Sequence, residues 1–223
     1  MLRPLIAALC LLAAPVAAQI APSPAEIAAY TGLHRAAHEN DLPALRRLLA
    51  SGADPNARDS RQRTPAHVAA FASNDAALTA LAEAGADLNA LDFQAYDVVT
   101  IAAVADDPDL MSLAISLGND PGLITSPYDG TALIAAAHLG HDEVVRRLVA
   151  AGAPLDHVNN LGWTALIEAV ILGEGGPAHQ ACVKALLDAG ASPAIADRDG
   201  VTPLMHARAR GYDAIAALIE AAG

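Results

Sequence analysis

The interval between a helix-capping residue and a glycine recurs along this chain and limits it to folds made of repeated units. Five cap–glycine pairs are 21 residues apart and a sixth spans 26, while successive caps follow one another after 33, 33, 34, 33 and 38 residues. A period near 33 that carries two helices and a turn is typical of a solenoid. The pairs are Thr31 and Gly52, Thr64 and Gly85, Asp97 and Gly118, Thr131 and Gly152, Thr164 and Gly190, and Thr202 and Gly223.

The unit over residues 128–160 contains all the signals of a helical hairpin. Thr131 is suited to cap a first helix that is short and rich in alanine, and Gly140 ends it. Glu143 lies in the first turn of a second helix, where the positive end of the helix dipole favours negative charge. Gly152 ends that helix by adopting the left-handed conformation, and polar, turn-forming residues lead to the next unit.

The motifs in these units resemble those of ankyrin repeats. The family's T-P-L-H-x-A box has the form T-G-L-H-R-A from Thr31, T-P-A-H-V-A from Thr64 and T-P-L-M-H-A from Thr202. The G-A-D-x-N ending follows at Gly52 and Gly85. The resemblance covers the chain from about residue 31 to its last residue.

This resemblance implies an all-α ankyrin-repeat solenoid of about six helix-turn-helix repeats with short projecting hairpin loops. We call these loops, which join each closing glycine to the next cap, the fingers. The third repeat departs from the family pattern, since its box reads D-V-V-T from Asp97 and its ending reads Gly118-Asn119-Asp120. We assign the repeats to about residues 31–60, 61–93, 94–127, 128–160, 161–198 and 199–223.

Residues 1–18 have the features of a secretory signal peptide. Arg3 precedes an apolar core over Leu5–Ala14, and small residues lead to a predicted cleavage site between Ala18 and Gln19. The apolar run is too short to remain as a membrane-spanning helix. We therefore expect a periplasmic or secreted protein without membrane insertion after cleavage.

Residues 19–30 are expected to form a spacer and a short helix. Ser23 and Glu26 have the spacing of a capping box, with Pro24 at the first helical position, and the predicted helix runs toward Tyr30. We expect it to cover the open apolar face of the first repeat. After cleavage the chain contains one cysteine, Cys182, which excludes an intrachain disulfide and is interpreted as a small buried apolar residue.

The sequence contains no catalytic or phosphate-binding motif, which favours a protein that is not an enzyme and needs no cofactor. The resemblance implies that His34 and His67 hydrogen-bond neighbouring hairpins. One alternative remains open, a metal-binding or hydrolytic protein. The residues it would use are His138, His141, Glu174 and His179.

Charge is unevenly distributed, with a formal net charge of −12. From Thr64 to Val145 there is no Lys or Arg but there are 12 Asp and Glu residues. Such a field disfavours nucleic acid, because phosphate binding needs the opposite sign. It favours a partner protein with a basic patch.

We predict that the fingers of repeats two to five bind another protein, because exposed aromatic side chains beside charges are common anchors of interfaces. The alternative is a structural scaffold without a single high-affinity partner, and a monomer is expected in either case. Residues Glu174–Gln180, which lengthen the fifth repeat, are a second candidate contact. The predicted binding residues are Asp92, Phe93, Tyr96, Asp97, Tyr128, Asp129, Asn160 and Trp163.

Overall fold

The computed structural model describes residues 19–223, and over this range the fold is all-helical, as predicted. The signal peptide expected over residues 1–18 lies outside the described residues. Six helix pairs follow one short N-terminal helix, and no β-strand is present between residues 19 and 223. The helices are α1 Pro24–Ala29, α2 Gly32–His38, α3 Leu42–Ala50, α4 Pro65–Phe71, α5 Asp75–Glu83, α6 Val98–Val104, α7 Pro108–Ser116, α8 Ala132–Leu139, α9 Asp142–Ala150, α10 Ala165–Ile171, α11 Pro177–Asp188, α12 Pro203–Arg210 and α13 Asp213–Ala222.

Side-chain caps begin the first helix of five repeats, as the period predicts. Thr64, Asp97, Thr131, Thr164 and Thr202 each accept a hydrogen bond from the backbone amide three residues later.

The expected side-chain cap is missing from the first repeat. The Thr31 hydroxyl accepts no hydrogen bond from a backbone amide in the first turn of α2. The next residue, Gly32, has φ +54°, which lies outside the right-handed helical region. The first turn therefore does not bring the third amide to the Thr31 hydroxyl.

The two departures of the third repeat compensate each other. One carboxylate oxygen of Asp97 caps α6 by accepting from the amide of Thr100 at 2.9 Å, and the other accepts from Asn119 Nδ2 at 2.7 Å. Asn119 Oδ1 in turn accepts from the amide of Val99 at 3.0 Å. Burial raises the pKa of Asp97, and the hydrogen bonds from Thr100 and Asn119 act against that rise. The residues at the position of Asn119 in other repeats are Ala53, Ala86, Ala153 and Ala191.

The core consists of small and aliphatic side chains from both helices of every repeat, so that successive helix pairs approach closely. Cys182 is fully buried within it, as expected, and burial raises the pKa of its thiol to about 12. None of the helices within residues 19–223 combines the length and apolar character that crossing a bilayer requires.

The N-terminal segment is attached mainly by polar contacts. The capping box of α1 is present, but none of the six residues of this helix is buried, so α1 does not cover an apolar face in the expected way. Instead, the fully buried guanidinium of Arg63 donates to Glu26 Oε1 at 3.3 Å and to the carbonyl of Ile20 at 2.8 Å. The amide of Ile20 donates to Gln94 Oε1 at 2.8 Å. Tyr30, which follows α1, is the buried residue of this segment.

Removing one partner of the Asp97–Asn119 pair will destabilise the fold more than removing both. We expect Asp97→Thr and Asn119→Ala each to cost about 1–3 kcal/mol of unfolding free energy, because each leaves a buried polar group without its partner. The double variant recreates the pattern of the other repeats, so its cost will be below the sum of the single costs by about 1 kcal/mol or more. Urea unfolding of the four proteins measures this coupling, and additive costs would contradict it.

The contribution of Glu26 will depend on pH. Hydrogen bonds from the side chain and backbone of Ser23, with Arg61 and Arg63 nearby, lower the pKa of Glu26 from 4.5 to about 2. A lowered folded-state pKa means that the stabilisation is complete above the unfolded value and is lost as pH falls through the folded value. Glu26→Gln is therefore expected to cost about 1 kcal/mol at neutral pH. Urea unfolding across pH will give a difference that shrinks between about pH 4.5 and about pH 2, and a constant difference would contradict the assignment.

Candidate protein-binding surface on the fingers

Each finger is closed by a side-chain acceptor five residues before the next helix cap. In the second finger, Asp92 Oδ1 accepts from the amides of Gln94 at 2.8 Å and Tyr96 at 3.1 Å. The same two bonds, to the amides two and four residues later, occur in all five fingers. The acceptors are Asp59, Asp92, Ser126, Asn159 and Asp197.

Three of the eight predicted contact residues are buried, so their assignment to the contact surface was wrong. Asp92, Tyr96 and Asp97 are exposed by only 6%, 4% and 1% of their surface. Asp92 is the internal acceptor of its finger and Asp97 is a helix cap, so neither carboxylate lies on the surface. Tyr96 belongs to the core. All three residues therefore lie beneath the candidate contact surface rather than on it.

Backbone hydrogen bonds join the first four fingers into one row. The amide of Phe93 donates to the carbonyl of Arg61 at 3.0 Å, and that of Asn160 donates to Tyr128 at 2.9 Å. Between these two links the equivalent residue is Pro127, which has no N–H, and the amide of Ser126 donates to Ala95 at 2.7 Å instead. The row therefore presents its side chains in fixed relative positions.

The other five predicted residues are at least partly accessible. Phe93 is 38% exposed and lies under the guanidinium of Arg61, 4.7 Å from the ring centre. Tyr128 and Trp163 are half-buried. Asp129 and Asn160 are exposed, and their side chains are joined by a hydrogen bond of 3.4 Å from Asn160 Nδ2 to Asp129 Oδ2. These five residues remain a candidate contact surface.

Sequence reasoning missed two apolar finger residues. Ile124 is 53% exposed and Val158 is 46% exposed, and they belong to neighbouring fingers. Both lie in turn-rich segments that lead to a helix cap. A branched apolar side chain in such a segment was the signal in the sequence that could have identified them. With Phe93 they add aliphatic surface to the finger row.

A small pocket of about 40 Å³ opens between the third and fourth fingers, above helices α8 and α10. Tyr128 and Leu161 line it from the fingers, and His138 and Glu168 line it from the helices. Glu168 is only 5% exposed. Its carboxylate accepts from Asn159 Nδ2 at 2.7 Å and lies 3.3 Å from His138 Nδ1.

Glu168 was also missed by sequence reasoning. It lies four residues after its cap, where repeats two to four have Val68, Ile101 and Ala135 and the first repeat has Arg35. A glutamate at a position that is apolar in repeats two to four was the signal in the sequence that could have identified this residue. In the last repeat the same position holds His206, whose Nε2 lies 2.7 Å from the finger acceptor Asp197. In the third repeat it holds Ile101, and Asp92 Oδ2 has no hydrogen-bond partner within the described residues.

The acids of the middle repeats are not all available to a partner. On α9, Arg147 pairs with Glu143 at 2.9 Å and with Asp109 of the preceding repeat at 2.7 Å. Arg146 pairs with Asp142 and Glu143. Near the fingers, Asp87, Asp120 and Asp129 are exposed, and the described ion pairs include none of them. The negative field is therefore retained on the finger side.

The histidines tie repeats together. As the resemblance implied, His34 and His67 bond the carbonyls of Arg63 and Tyr96, each at 3.0 Å.

The three histidines of the alternative metal-binding or hydrolytic site each form a hydrogen bond or ion pair within the repeat array. His138 is paired with Glu168, His141 Nδ1 bonds the carbonyl of Ala103 at 2.9 Å, and His179 Nε2 bonds the carbonyl of His138 at 2.9 Å. Over residues 19–223 no group of three or more His, Cys, Asp or Glu side chains is arranged to hold a metal ion.

The extra residues of the fifth repeat are only partly a loop. Helix α11 begins at Pro177 and has 12 residues, so the second half of Glu174–Gln180 forms its first turn. Gln180 Nε2 donates to the carbonyl of Gly175 at 2.8 Å, which folds the remaining loop onto the helix. Glu174 is exposed.

The different burial of Tyr96 and Phe93 gives a direct test of the candidate contact surface on the fingers. Tyr96→Ala is expected to cost about 3–5 kcal/mol of unfolding free energy, because it leaves a cavity in the core. Phe93→Ala removes a partly exposed ring and its contact with Arg61, and will cost about 1 kcal/mol. Thermal or urea unfolding compares the two, and equal costs would contradict the placement of Phe93 on the surface.

Comparison with known proteins agrees with the repeat geometry. Family models described as ankyrin repeats in three copies and in many copies match residues 99–197 and 33–75. The putative ankyrin repeat protein YahD of Escherichia coli K12 is 36% identical over 189 residues, which are 84% of this chain and 94% of that protein.

Two solved structures extend the comparison. An ankyrin repeat domain from Acinetobacter baumannii AYE is 45% identical with a TM-score of 0.81, covering 86% of this chain and 97% of that one. The ankyrin repeat protein EF0377 is 29% identical with a TM-score of 0.79, covering 86% and 98%. The chain belongs to the ankyrin-repeat family.

Proposed function

We propose that this protein is an exported, monomeric scaffold that binds another protein through its finger row. The contact surface consists of Phe93, Tyr128 and Trp163 with Asp129 and Asn160, to which Ile124 and Val158 are added. The partner carries a basic patch that complements the exposed acids of the middle repeats. Export rests on the signal peptide expected over residues 1–18.

Ankyrin-repeat proteins typically mediate protein–protein interaction, and their fold is generally a non-enzymatic scaffold. The observation that carries the proposal for this chain is the combination of accessible apolar side chains with a row of fingers joined by backbone hydrogen bonds. A rigid surface loses little conformational entropy on binding, so more of the contact energy is available for affinity. Apolar residues in the centre of such a surface are the usual energetic anchors.

Charge complements this apolar surface. Asp87, Asp120 and Asp129 lie exposed near the fingers, and from Thr64 to Val145 the chain has no Lys or Arg. Opposite charge on the partner accelerates encounter and suppresses wrongly charged partners more than it raises affinity. The proposed partner is therefore selected by its charge and held by contacts with the apolar residues.

A crosslinking pull-down from the exporting cell tests the surface. We expect the Phe93→Ala, Tyr128→Ala double variant to recover at least tenfold less of a partner than the parent protein, since each anchor contributes more than about 1 kcal/mol. Leu139→Ala is the matched control, because Leu139 is 43% exposed but ends α8 at the opposite side from the fingers. Equal recovery by all three proteins would move the contact to the Glu174–Gln180 segment, and no specific recovery would favour a structural scaffold.

The partner recovered in this way then tests the electrostatic half of the proposal. Its association rate with the parent protein is expected to fall several-fold between about 20 mM and about 150 mM salt, because added ions screen exposed charges. Stopped-flow fluorescence measures the rate. A rate that does not change with salt would remove the role of the acidic field while leaving the apolar contact surface in place.

A further inference from the structure

The pocket between the third and fourth fingers contains a carboxylate that the fold does not require. The equivalent position is apolar in repeats two to four, which have Val68, Ile101 and Ala135, and it is Arg35 in the first repeat, so the four preceding repeats pack without an acid there. Glu168 is 95% buried, and burying a charge is costly unless it is paired. Its two described contacts, with Asn159 and His138, use about half of the acceptor capacity of a carboxylate.

Supporting the fourth finger does not require a negative charge on Glu168 either. Asn159 Oδ1 closes the fourth finger, and its Nδ2 needs an acceptor, which Glu168 Oε1 supplies at 2.7 Å. The neutral amide oxygen of a glutamine would serve equally well in that role. The charge is thus a feature of the pocket rather than of the finger.

We propose that this pocket receives the ammonium group of a lysine side chain from the partner protein, a proposal that rests on the function proposed above. The ammonium group would donate to the Glu168 carboxylate at the base of the pocket. Tyr128 also lines the pocket, and an aromatic ring attracts a cation through its negative face. Leu161 and Ala135 provide apolar surface for the methylene stem.

The size of the pocket favours lysine over arginine. A cavity of about 40 Å³ holds a few water-sized groups at most, and an ammonium group with its adjacent carbon fits that volume. A guanidinium is a wider, planar group with five donors in a fixed fork, which one carboxylate in a small cavity does not satisfy. His138 also lines the pocket, with Nδ1 3.3 Å from the Glu168 carboxylate, so the ammonium group would share this carboxylate with the imidazole.

The test uses capped tripeptides Gly-X-Gly in which X is lysine, norleucine or arginine. Amide chemical shifts of the protein are followed by NMR during titration, and norleucine keeps the aliphatic stem without the ammonium group. We expect the lysine peptide to shift the amides of Tyr128, Asn159 and Glu168, with a dissociation constant at least tenfold lower than that of the norleucine or arginine peptide.

Three variants locate the effect. Glu168→Gln keeps the acceptor for Asn159 and removes the charge, so it is expected to weaken lysine binding at least tenfold. Asp213→Asn removes the same charge from an exposed residue of the last repeat, outside the pocket lining and the proposed contact surface, and will change binding less than twofold. Ala135→Leu fills the pocket while leaving Glu168 in place and will also abolish binding. Thermal unfolding checks that each variant is folded.

Several outcomes would overturn the proposal. These are norleucine binding as tightly as lysine, arginine binding more tightly, or Glu168→Gln and Ala135→Leu both binding as the parent does. The pull-down separates this failure from that of the proposed function. A partner lost by the Phe93→Ala, Tyr128→Ala variant but retained by Glu168→Gln would keep the finger surface and overturn the pocket. Selective lysine binding without any captured protein would support the pocket and overturn the proposed function.

Discussion

The fingers of this array depend on one interaction, the closure of each turn by a side-chain oxygen five residues before the next cap. This oxygen accepts hydrogen bonds from two backbone amides, which would otherwise need water as a partner or a strained turn. Asp, Asn and Ser all supply it, because each has a short side chain with an oxygen at the right distance. Because every turn is closed in the same way, successive fingers stand in register, and single backbone hydrogen bonds join the first four of them.

The same constraint determines which residues are free to bind. In the second finger the acceptor Asp92 and the residue before the cap, Tyr96, are buried, whereas Trp163, which precedes the cap of the fifth repeat, is half-buried. The residue that follows the acceptor turns outward, which leaves Phe93 and Asn160 accessible. Position within the finger therefore separates the acceptor, which supports the turn, from the residue after it, which is accessible.

The fold was predictable from the sequence because caps and closing glycines are local signals that repeat. In the irregular third repeat Asp97 caps its helix as Thr does elsewhere, as predicted. Its pairing with Asn119 depends on a contact across 22 residues that no local pattern reveals.

The candidate site was less predictable. An acid such as Asp92 has the same sequence signature whether it closes a turn or faces water, and only the register of the finger separates the two. Glu168 lies nine residues from its partner Asn159 and on a different element, so its role appears only once the finger is built over α10.

The N-terminal segment shows how far a buried charge can organise distant parts of the chain. Arg63 is fully buried yet charged, and such a group is stable only where partners satisfy it. Glu26 and the carbonyl of Ile20 provide two of these partners, and the rings of Phe71 and Phe93 lie 5.5 Å from the guanidinium carbon. The arrangement links α1, the first finger and the exposed Phe93. A change in the N-terminal segment therefore reaches one of the proposed contact residues through a single side chain.

Two kinds of negative charge on this molecule act over different ranges. The exposed acids Asp87, Asp120 and Asp129 are surrounded by water, so their field decays within about 8 Å at physiological ionic strength. Glu168 lies in a pocket with apolar and aromatic walls, where salt screens a contact much less. Salt will therefore slow the approach of a basic partner without equally weakening a lysine that has entered the pocket. In this proposal the exposed acids determine the association rate with the partner, and Glu168 determines the selectivity for lysine.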